Sequence, residues 1–326
     1  MKKLYIKLTT FLGTWTGSIL FVLLITSSVA QTFIIPSGSM KHTQLIGDFL
    51  VGKKFAYGTP TPRLPMLNIP MLPDFFGNGH LIEGDKPQRE DIVIFLYPKD
   101  NTTHYVKRCV AVGDDELIYV ADKLFIHFHE GDVYIKNNYS VDKIVSMQGK
   151  LWVENPYMSK YPGIGYREEG GDIFEHLLNY AAHGKKIDMN PVHIEELDAP
   201  MYAIAGKKVN ALHTKVPKEH YYMIGDNREN SNDSRFWGAV PYRNIIAKPW
   251  FVLFSMEHRS YAQVFNGDDS GSGRDHDGLG IVCKDVALNS KMCEEKWNDQ
   301  RFHIRWKRLG RSFDWLQKQD FVKGKS

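Results

Sequence analysis

The feature that most constrains this chain is a long uncharged stretch near its N-terminus. No Asp, Glu, Lys or Arg occurs in residues 8–40, and residues 11–30 are predominantly apolar. A run of this length can cross a bilayer as one helix. Lys2, Lys3 and Lys7 precede it, so the positive-inside rule places the N-terminus in the cytoplasm. The sequence therefore predicts one transmembrane anchor, with the rest of the chain exported.

A cleavable signal peptide is the alternative interpretation of the same stretch. Ser28, Val29 and Ala30 fit a small-x-small cleavage site. However, the apolar run is longer than a usual signal-peptide core, and it leads without a linker into residues 36–40, which contain a candidate nucleophile. These features favour an uncleaved anchor. Either interpretation places the bulk of the chain outside the cytoplasm.

Composition excludes several classes of function. The 326 residues carry a formal net charge of +3, too small to indicate a nucleic-acid partner. A mean hydropathy of −0.35 excludes a membrane protein with many spans. No C-x-x-C, H-E-x-x-H or G-x-x-x-x-G-K-[ST] pattern occurs. We therefore expect no metal and no other cofactor.

The three cysteines suit an exported chain. Cys109 lies in an apolar run and is predicted to be a buried, inert thiol. Cys283 and Cys293 lie in a polar segment, where an oxidising compartment would allow a disulfide between them.

Short apolar or alternating runs between Gly, Pro, Asn and Asp predict a mainly β fold. The runs are residues 49–54, 91–96, 105–112, 116–120, 133–136, 221–224, 250–254 and 302–306. Residues 173–183 predict a helix. We expect a coiled antiparallel sheet or open barrel. We also expect an anchor at residues 1–32, a catalytic domain formed by 33–121 and 216–326, and a smaller inserted β-rich domain at 122–215.

Three polar blocks carry the candidate chemistry. Residues 36–40 read PSGSM and place Ser39 after a glycine, which permits a tight turn that exposes the hydroxyl. Residues 105–108 read YVKR and place Lys107 among strand-forming residues, where burial could keep a lysine neutral. Residues 225–238 form a loop dense in Asp, Asn, Ser and Arg that could orient a catalytic group. Neither His42 nor His104 completes a convincing triad.

These blocks, with Gly47-Asp48 and residues 89–95 (REDIVIF), resemble the characteristic boxes of bacterial signal peptidase I. The resemblance implies a serine protease with a Ser–Lys dyad and a mostly β fold. It implies cleavage of signal peptides from exported preproteins on the outer side of the cytoplasmic membrane. The partners would be those signal peptides and membrane lipid, and not nucleic acid or metal.

The resemblance also assigns roles to single residues. Ser39 matches the nucleophile and Lys107 the general base, while Ser37 and the Ser39 amide match the oxyanion hole. Ser231 matches the serine that hydrogen-bonds the lysine, and Asp233 and Arg235 match a supporting ion pair. The positions that line the substrate pockets are matched by Ile35, Met40, Tyr105 and Val106.

The chain departs from the family pattern after Met40. Gln44 replaces an apolar residue near the expected cleft, which affects the expected specificity. The basic residues 301–309 resemble the family's last strand and could contact anionic lipid, or could simply form the charged outer face of a strand. Two other functions stay open at this point. They are a related Ser–Lys peptidase that matures conjugative pili, and a non-enzymatic anchored module that binds preproteins.

Overall fold

The computed structural model describes residues 2–63, 69–165, 172–258 and 302–319. Strands predominate, so the prediction of a mainly β protein is confirmed. The helices are α1 (Lys2–Leu12), α2 (Trp15–Ser28), α3 (Asp132–Asn138), α4 (Ile173–Ala182), α5 (Ser234–Trp237) and α6 (Phe313–Leu316).

The apolar N-terminal stretch forms two helices. Gly13 and Thr14 separate them, and the Thr14 hydroxyl caps α2 by accepting a hydrogen bond from the Gly17 N–H at 3.1 Å. The segments Tyr5–Leu12 and Trp15–Leu23 are bent by 93° relative to each other. No single helix in the described ranges is long and apolar enough to cross a membrane, although this pair could by length and composition. The predicted single transmembrane helix is therefore not confirmed.

The larger sheet has eight antiparallel strands and curls into a half barrel. The strands are β1 (Ala30–Ile34), β2 (Asp48–Lys53), β5 (Ile92–Leu96), β6 (His104–Val112), β15 (His220–Ile224), β16 (Val240–Pro241), β17 (Ile245–His258) and β18 (Phe302–Ile304). Their order is β1-β2-β17-β5-β6-β15-β16, and β18 pairs with β17. The long strand β17 pairs with β5, β2 and β18 in turn, with register shifts that increase its twist.

The second sheet has six antiparallel strands in the order β11-β14-β7-β8-β10-β9. They are β7 (Glu116–Val120), β8 (Lys123–His127), β9 (Ile144–Met147), β10 (Lys150–Glu154), β11 (Asn190–Val192) and β14 (Ala211–Lys215). Two hairpins complete the strands: β3 (Gly58–Pro60) with β4 (His80–Glu83), and β12 (Tyr202–Ile204) with β13 (Lys207–Val209). The second sheet thus begins at β7, ahead of residue 122, and the predicted domain limits remain predictions.

Strands β5 and β6 hold the centre of the larger sheet because both of their faces are packed. Ile94 and Val106 join one apolar cluster, while Val93 and Phe95 join another on the opposite face. A third cluster joins the two sheets and includes Val110, Tyr222, Leu117 and Phe174. Side chains on β6 are therefore held in a rigid position.

One short assignment from the sequence is wrong, and the strand predicted at residues 302–306 is confirmed as β18 but ends earlier than expected. Residues 133–136 lie in helix α3, which begins after Gly131 at a φ of 83°. So short an apolar run does not distinguish a strand from a helix by its period. At the C-terminus, β18 ends at Ile304 and a 3-10 turn follows at Trp306–Arg308. The predicted helix at residues 173–183 is confirmed as α4.

Candidate active site

Ser39 lies in a 3-10 turn, Gly38–Met40, that follows β1. The loop after β15 holds this turn in place. The Asn227 N–H donates to the Ser39 carbonyl at 3.1 Å, and Asn227 Nδ2 donates to the Gly38 carbonyl at 3.1 Å. Met40 is 1% exposed, and its Sδ accepts a hydrogen bond from the Asp226 N–H. The backbone around the candidate nucleophile is thus fixed by residues almost 190 positions away.

Lys107 reaches this turn from strand β6. Its Nζ lies 2.6 Å from Ser39 Oγ and donates to the Val106 carbonyl at 3.0 Å. The side chain is 4% exposed. Burial lowers the pKa of Lys107 to about 8, although the carboxylates of Asp233 and Asp226 oppose the shift. The structure therefore places a hydroxyl beside an amine that is readily deprotonated near neutral pH.

The expected oxyanion and lysine partners lie close to this pair. Ser37 is exposed, with its Oγ 3.4 Å from Ser39 Oγ. Ser231 is 3% exposed, its hydroxyl lies near enough to Asp233 to help lower the pKa of that carboxyl, and no hydrogen bond joins it to Lys107. Gly225 separates it from the nucleophile turn, because a Cβ there would lie 2.3 Å from Ser231 Oγ and 2.4 Å from the Ser39 carbonyl. The expected bond from Ser231 to Lys107 is therefore not formed in this structure.

Asp233 and Arg235 form the expected ion pair at the start of α5. Arg235 donates from Nε and Nη2 to the two carboxylate oxygens, both at 2.9 Å, and both side chains are fully buried. Asp233 also accepts from the Gly225 N–H at 3.1 Å. Burial alone would raise the pKa of Asp233, but the charge of Arg235 outweighs it and lowers the pKa. The pair ties α5 to the glycine that packs on the nucleophile turn.

A second buried ion pair was not assigned a role from the sequence. Arg108 Nε and Nη2 donate to the two carboxylate oxygens of Asp226, each at 2.8 Å. The Thr43 hydroxyl donates to the same carboxylate at 2.6 Å. Although burial would raise the pKa of Asp226, the charge of Arg108 lowers it. This pair joins β6 to the nucleophile segment. The only sequence signal for this pair is that Arg108 and Asp226 both lie within the blocks that resemble the family.

A third buried pair connects the C-terminal segment to the same region. Arg308 Nη2 lies 2.6 Å from Asp48 Oδ2, and Ser255 Oγ donates to Asp48 Oδ1 at 2.6 Å. Arg305 Nε donates to Ser255 Oγ at 2.8 Å. Two arginines of the basic C-terminal segment therefore point inward to Asp48 and Ser255, whereas the sequence suggested lipid contact or an exposed strand face.

The four expected pocket residues surround the Ser39–Lys107 pair. Ile35 and Val106 belong to one apolar cluster, and Ile35 is 4% exposed. Tyr105 shares a face of β6 with Lys107, whose Nζ lies 5.4 Å from the Tyr105 ring centre. Met40 follows the nucleophile directly. All four residues therefore lie on strand β6 or in the segment between β1 and the end of the nucleophile turn.

Some residues are placed differently from expectation. Gln44 is completely buried, and neither atom of its amide bonds to a described residue, so it does not reach the surface of the cleft. His42, expected at the surface or in a local hydrogen bond, is 8% exposed and has a φ of 74°.

Cys109 is buried as predicted. The predicted bridge between Cys283 and Cys293 lies outside the described residues.

One cluster of possible metal ligands occurs in the described ranges. Asp115, His129 and Glu130 bring their ligand atoms within 4.8 Å of one another. The guanidinium of Arg89 already occupies this cluster, with Nη2 2.6 Å from Asp115, 2.8 Å from Glu130 and 2.8 Å from His129 Nδ1. The carboxylates are therefore neutralised by an arginine, and these residues do not fit a metal site.

The chain is similar to known proteins over most of its length. A model of the family described as signal peptidase, peptidase S26, matches residues 8–254. Signal peptidase I of Helicobacter pylori strain J99 is 37% identical over 311 residues, which cover 94% of each chain. Signal peptidase I of Pseudomonas aeruginosa is 32% identical over 249 residues, 73% of this chain and 69% of that one. A crystal structure of signal peptidase I from Enterococcus faecalis is 19% identical, with a TM-score of 0.26, and covers 50% of this chain and 97% of that chain.

These similarities confirm the family predicted from the three blocks. The matched residues 8–254 include the nucleophile turn, strand β6 and the whole of residues 225–238. By the extent of this match and by its identity to full-length relatives, the chain belongs to the signal peptidase family, peptidase S26.

Proposed function

We propose that this chain is a membrane-associated serine endopeptidase that removes N-terminal signal peptides from exported preproteins, with Ser39 as nucleophile and Lys107 as general base. The observation that carries the proposal is the 2.6 Å separation of Lys107 Nζ and Ser39 Oγ in a site that buries the amine. A nucleophile within hydrogen-bond reach of a base whose pKa is lowered is the arrangement that covalent catalysis requires.

In this mechanism the neutral amine of Lys107 takes the proton of Ser39 as Oγ attacks the carbonyl carbon before the scissile bond. The C–N bond then breaks, and the Lys107 ammonium gives its proton to the leaving amine. The acyl group remains on Ser39 as an ester. Lys107, neutral again, takes a proton from water, which attacks the ester and releases the signal peptide. The proton finally returns to Ser39.

The developing oxyanion would be stabilised by the Ser39 N–H and the Ser37 hydroxyl. Loss of one such donor typically costs about 10²–10³ in kcat. Ile35, Met40, Tyr105 and Val106 would line pockets for the small side chains of a small-x-small site. An extended substrate beside a strand edge places alternate side chains in such pockets.

The loop after β15 would support the dyad. Asp233 lies near enough to oppose the lowering of the Lys107 pKa, and Arg235 keeps that carboxylate ionised. Ser231 would bond to Lys107 only after a change from the arrangement seen here, in which that hydrogen bond is absent. In this proposal residues 33–121 and 216–326 form the catalytic domain, and residues 122–215 form an insertion.

The N-terminal segment would hold the site at the outer face of the bacterial cytoplasmic membrane. Lys2, Lys3 and Lys7 would keep the N-terminus in the cytoplasm. Membrane lipid is then a partner, because the apolar helix α2 leads directly into β1. Alkaline extraction of membranes should leave the full chain in the pellet, whereas release into the supernatant would contradict this location.

The test of the proposal uses the full chain in detergent with a purified preprotein. Mass spectrometry of the products should show one cut after a small-x-small motif. Ser39→Ala should form no product, while Ser37→Ala should retain about 10⁻²–10⁻³ of the parent rate. Cleavage of a pilin precursor alone would favour the pilus-maturation alternative. Absence of any cleavage by the parent, or cleavage by Ser39→Ala, would contradict the proposal.

A further inference from the structure

A loop joins the nucleophile turn to strand β2 at residues 41–47, and it contains neither helix nor strand. Thr43, near its centre, is fully buried. Buried carbonyls in such a loop need hydrogen-bond donors from elsewhere in the protein, because no helix or sheet supplies them. Arg308 Nη2 donates to the Thr43 carbonyl at 3.2 Å. Arg305 Nη2 donates to the Ile46 carbonyl. Two arginines of the C-terminal segment therefore hold the loop.

Asp48 closes this loop and binds Arg308. The Ile35 N–H donates to the Asp48 carbonyl at 2.9 Å, so the two ends of the loop are paired. The Asp48 carboxylate is fully buried and accepts from Arg308 Nη2 at 2.6 Å and Nε at 3.1 Å. It also accepts from the Leu45 N–H at 2.9 Å. Arg308 thus holds the loop at two points, its closing residue and Thr43.

Thr43 connects Arg308 to the nucleophile turn. The Thr43 N–H donates to the Met40 carbonyl at 3.0 Å, and Met40 follows Ser39 directly. The Thr43 carbonyl, on the other side of the same residue, accepts from Arg308. A displacement of Thr43 would therefore be passed to the turn that carries the Ser39 hydroxyl.

Thr43 also connects the loop to the strand of the candidate base. Its hydroxyl donates to the Asp226 carboxylate at 2.6 Å, and Arg108 pairs with that carboxylate at 2.8 Å. Arg108 follows Lys107 on β6, and its Nη1 donates to Gln317 Oε1 at 3.0 Å. The C-terminal segment therefore contacts the support of the amine as well as the support of the hydroxyl.

We infer that Arg308 is a positioning residue, which sets the place of Ser39 Oγ relative to Lys107 Nζ. The inference rests on the proposed function. It gives a part in catalysis to a residue beyond the matched family model, which ends at residue 254. Arg308 acts through the loop at residues 41–47. A misplacement of about 1 Å in a catalytic group can cost about 10²-fold in rate, so small movements of this loop are sufficient.

The test measures peptide cleavage by the full chain in detergent for Arg308→Met and Arg308→Lys. Arg308→Met should lower kcat about 10–100-fold. It should change KM less than about twofold, because the pocket residues Tyr105 and Val106 lie on β6, outside the loop. Arg308→Lys keeps a charge beside Asp48 but lacks the fork of donors that also reaches Thr43. Its kcat should therefore lie between those of Arg308→Met and the parent.

The pH profile of kcat distinguishes a displaced hydroxyl from an altered base. The pKa of Lys107 is about 8, and the amine stays buried in Arg308→Met. The midpoint of the rise in kcat should therefore stay in place while the plateau falls. A midpoint that moves by about one pH unit or more would mean that Arg308 acts on the base, and it would overturn the inference.

Two variants control for charge and for stability. Arg311→Met removes an exposed charge from the same segment, and Met147→Ala truncates a fully buried side chain in the second sheet. Both should keep the parent's kcat per folded molecule, with the folded fraction measured by urea unfolding at the assay temperature. An equal fall in either control would overturn the inference. So would a fall in Arg308→Met that its unfolded fraction explains entirely.

Arg308→Lys keeps the inference open to refutation if Arg308→Met does not fold. A folded Arg308→Lys with the parent's kcat would overturn the positioning role. The outcome for the proposed function is separate, because it depends on the parent and on Ser39→Ala. A parent that does not cleave, or a Ser39→Ala that does, would contradict the proposed function whatever the Arg308 variants show.

Discussion

Replacing Lys107 by Met should abolish catalysis while removing a pH-dependent cost of folding. The amine is buried, and its pKa falls from 10.5 to about 8. At pH 7 about one tenth of such amines are neutral, against about one in three thousand at the unshifted value. Burial therefore increases the fraction of competent base about 300-fold.

The same shift lowers the free energy of unfolding at neutral pH. Between pH 8 and 10.5 the unfolded chain binds more protons at this lysine than the folded chain, so stability rises with pH in that window. The pKa shift of about 2.5 units corresponds to about 3.4 kcal/mol. Below pH 8 the free energy of unfolding is lower by this amount than it would be with an unshifted pKa. From pH 7 to pH 10.5 the free energy of unfolding of the parent should rise by about 3 kcal/mol more than that of Lys107→Met.

Lys54 provides a matched control for this assay. It is 4% exposed, and its pKa is also lowered to about 8, by burial and by the nearby charge of Arg63. Its Nζ contacts the Thr26 carbonyl and not Ser39. Lys54→Met should flatten the pH dependence of stability but keep cleavage. Urea unfolding from pH 7 to 10.5 and peptide cleavage would be measured for all three proteins. An active Lys107→Met, or one with the parent's pH dependence of stability, would refute the reasoning.

Three further substitutions test the packing around the site. Gly225→Ala should lower the free energy of unfolding by about 1–3 kcal/mol and reduce cleavage, because the added Cβ would lie 2.4 Å from the Ser39 carbonyl. An unchanged melting temperature and unchanged activity would contradict this close approach. Asp226→Asn should cost about 3–5 kcal/mol at pH 7 in urea unfolding, because it removes the carboxylate that pairs with the buried charge of Arg108. A cost below about 1 kcal/mol would be inconsistent with full burial of the pair. Gln44→Leu should raise stability by about 1 kcal/mol in thermal melts, because the buried amide has no partner among the described residues; a clear loss would mean that a partner exists.

Two of these substitutions have matched controls. Gly38→Ala should change the melting temperature little, because the one atom of the described residues that its Cβ would meet is Ile46 Cδ1, at 3.8 Å. Glu154→Gln breaks an exposed pair with Lys123, with side chains 31% and 50% exposed, and should cost under about 1 kcal/mol. Equal effects at the buried and exposed pairs would contradict the role given to burial.

Local patterns predicted much of the fold. Alternating and apolar runs identified strands such as β5, β6 and β7, because their periods survive in the folded sheet. The N-terminal stretch was predicted as one helix, but Gly13 and Thr14 interrupt it. Thr14 is a favourable N-cap residue, so that break was visible in the sequence and was outweighed by hydropathy.

The candidate site was predicted in part. The three blocks located Ser39 and Lys107, which the fold brings within 2.6 Å of each other. The pairs of Arg108 with Asp226 and of Arg308 with Asp48 were not predicted. Their partners are 118 and 260 residues apart, and nothing in the local sequence distinguishes a buried arginine from an exposed one. The burial that lowers the pKa of Lys107 likewise depends on the tertiary structure.

The most direct test of the account is to identify the residue that carries the acyl group during turnover. A preprotein would be mixed with the full chain in detergent, quenched with acid within milliseconds and digested for mass spectrometry. The account predicts the C-terminal fragment of the signal peptide attached as an ester to Ser39, with no adduct in Ser39→Ala. An adduct on another residue, or steady cleavage in Ser39→Ala, would contradict the account.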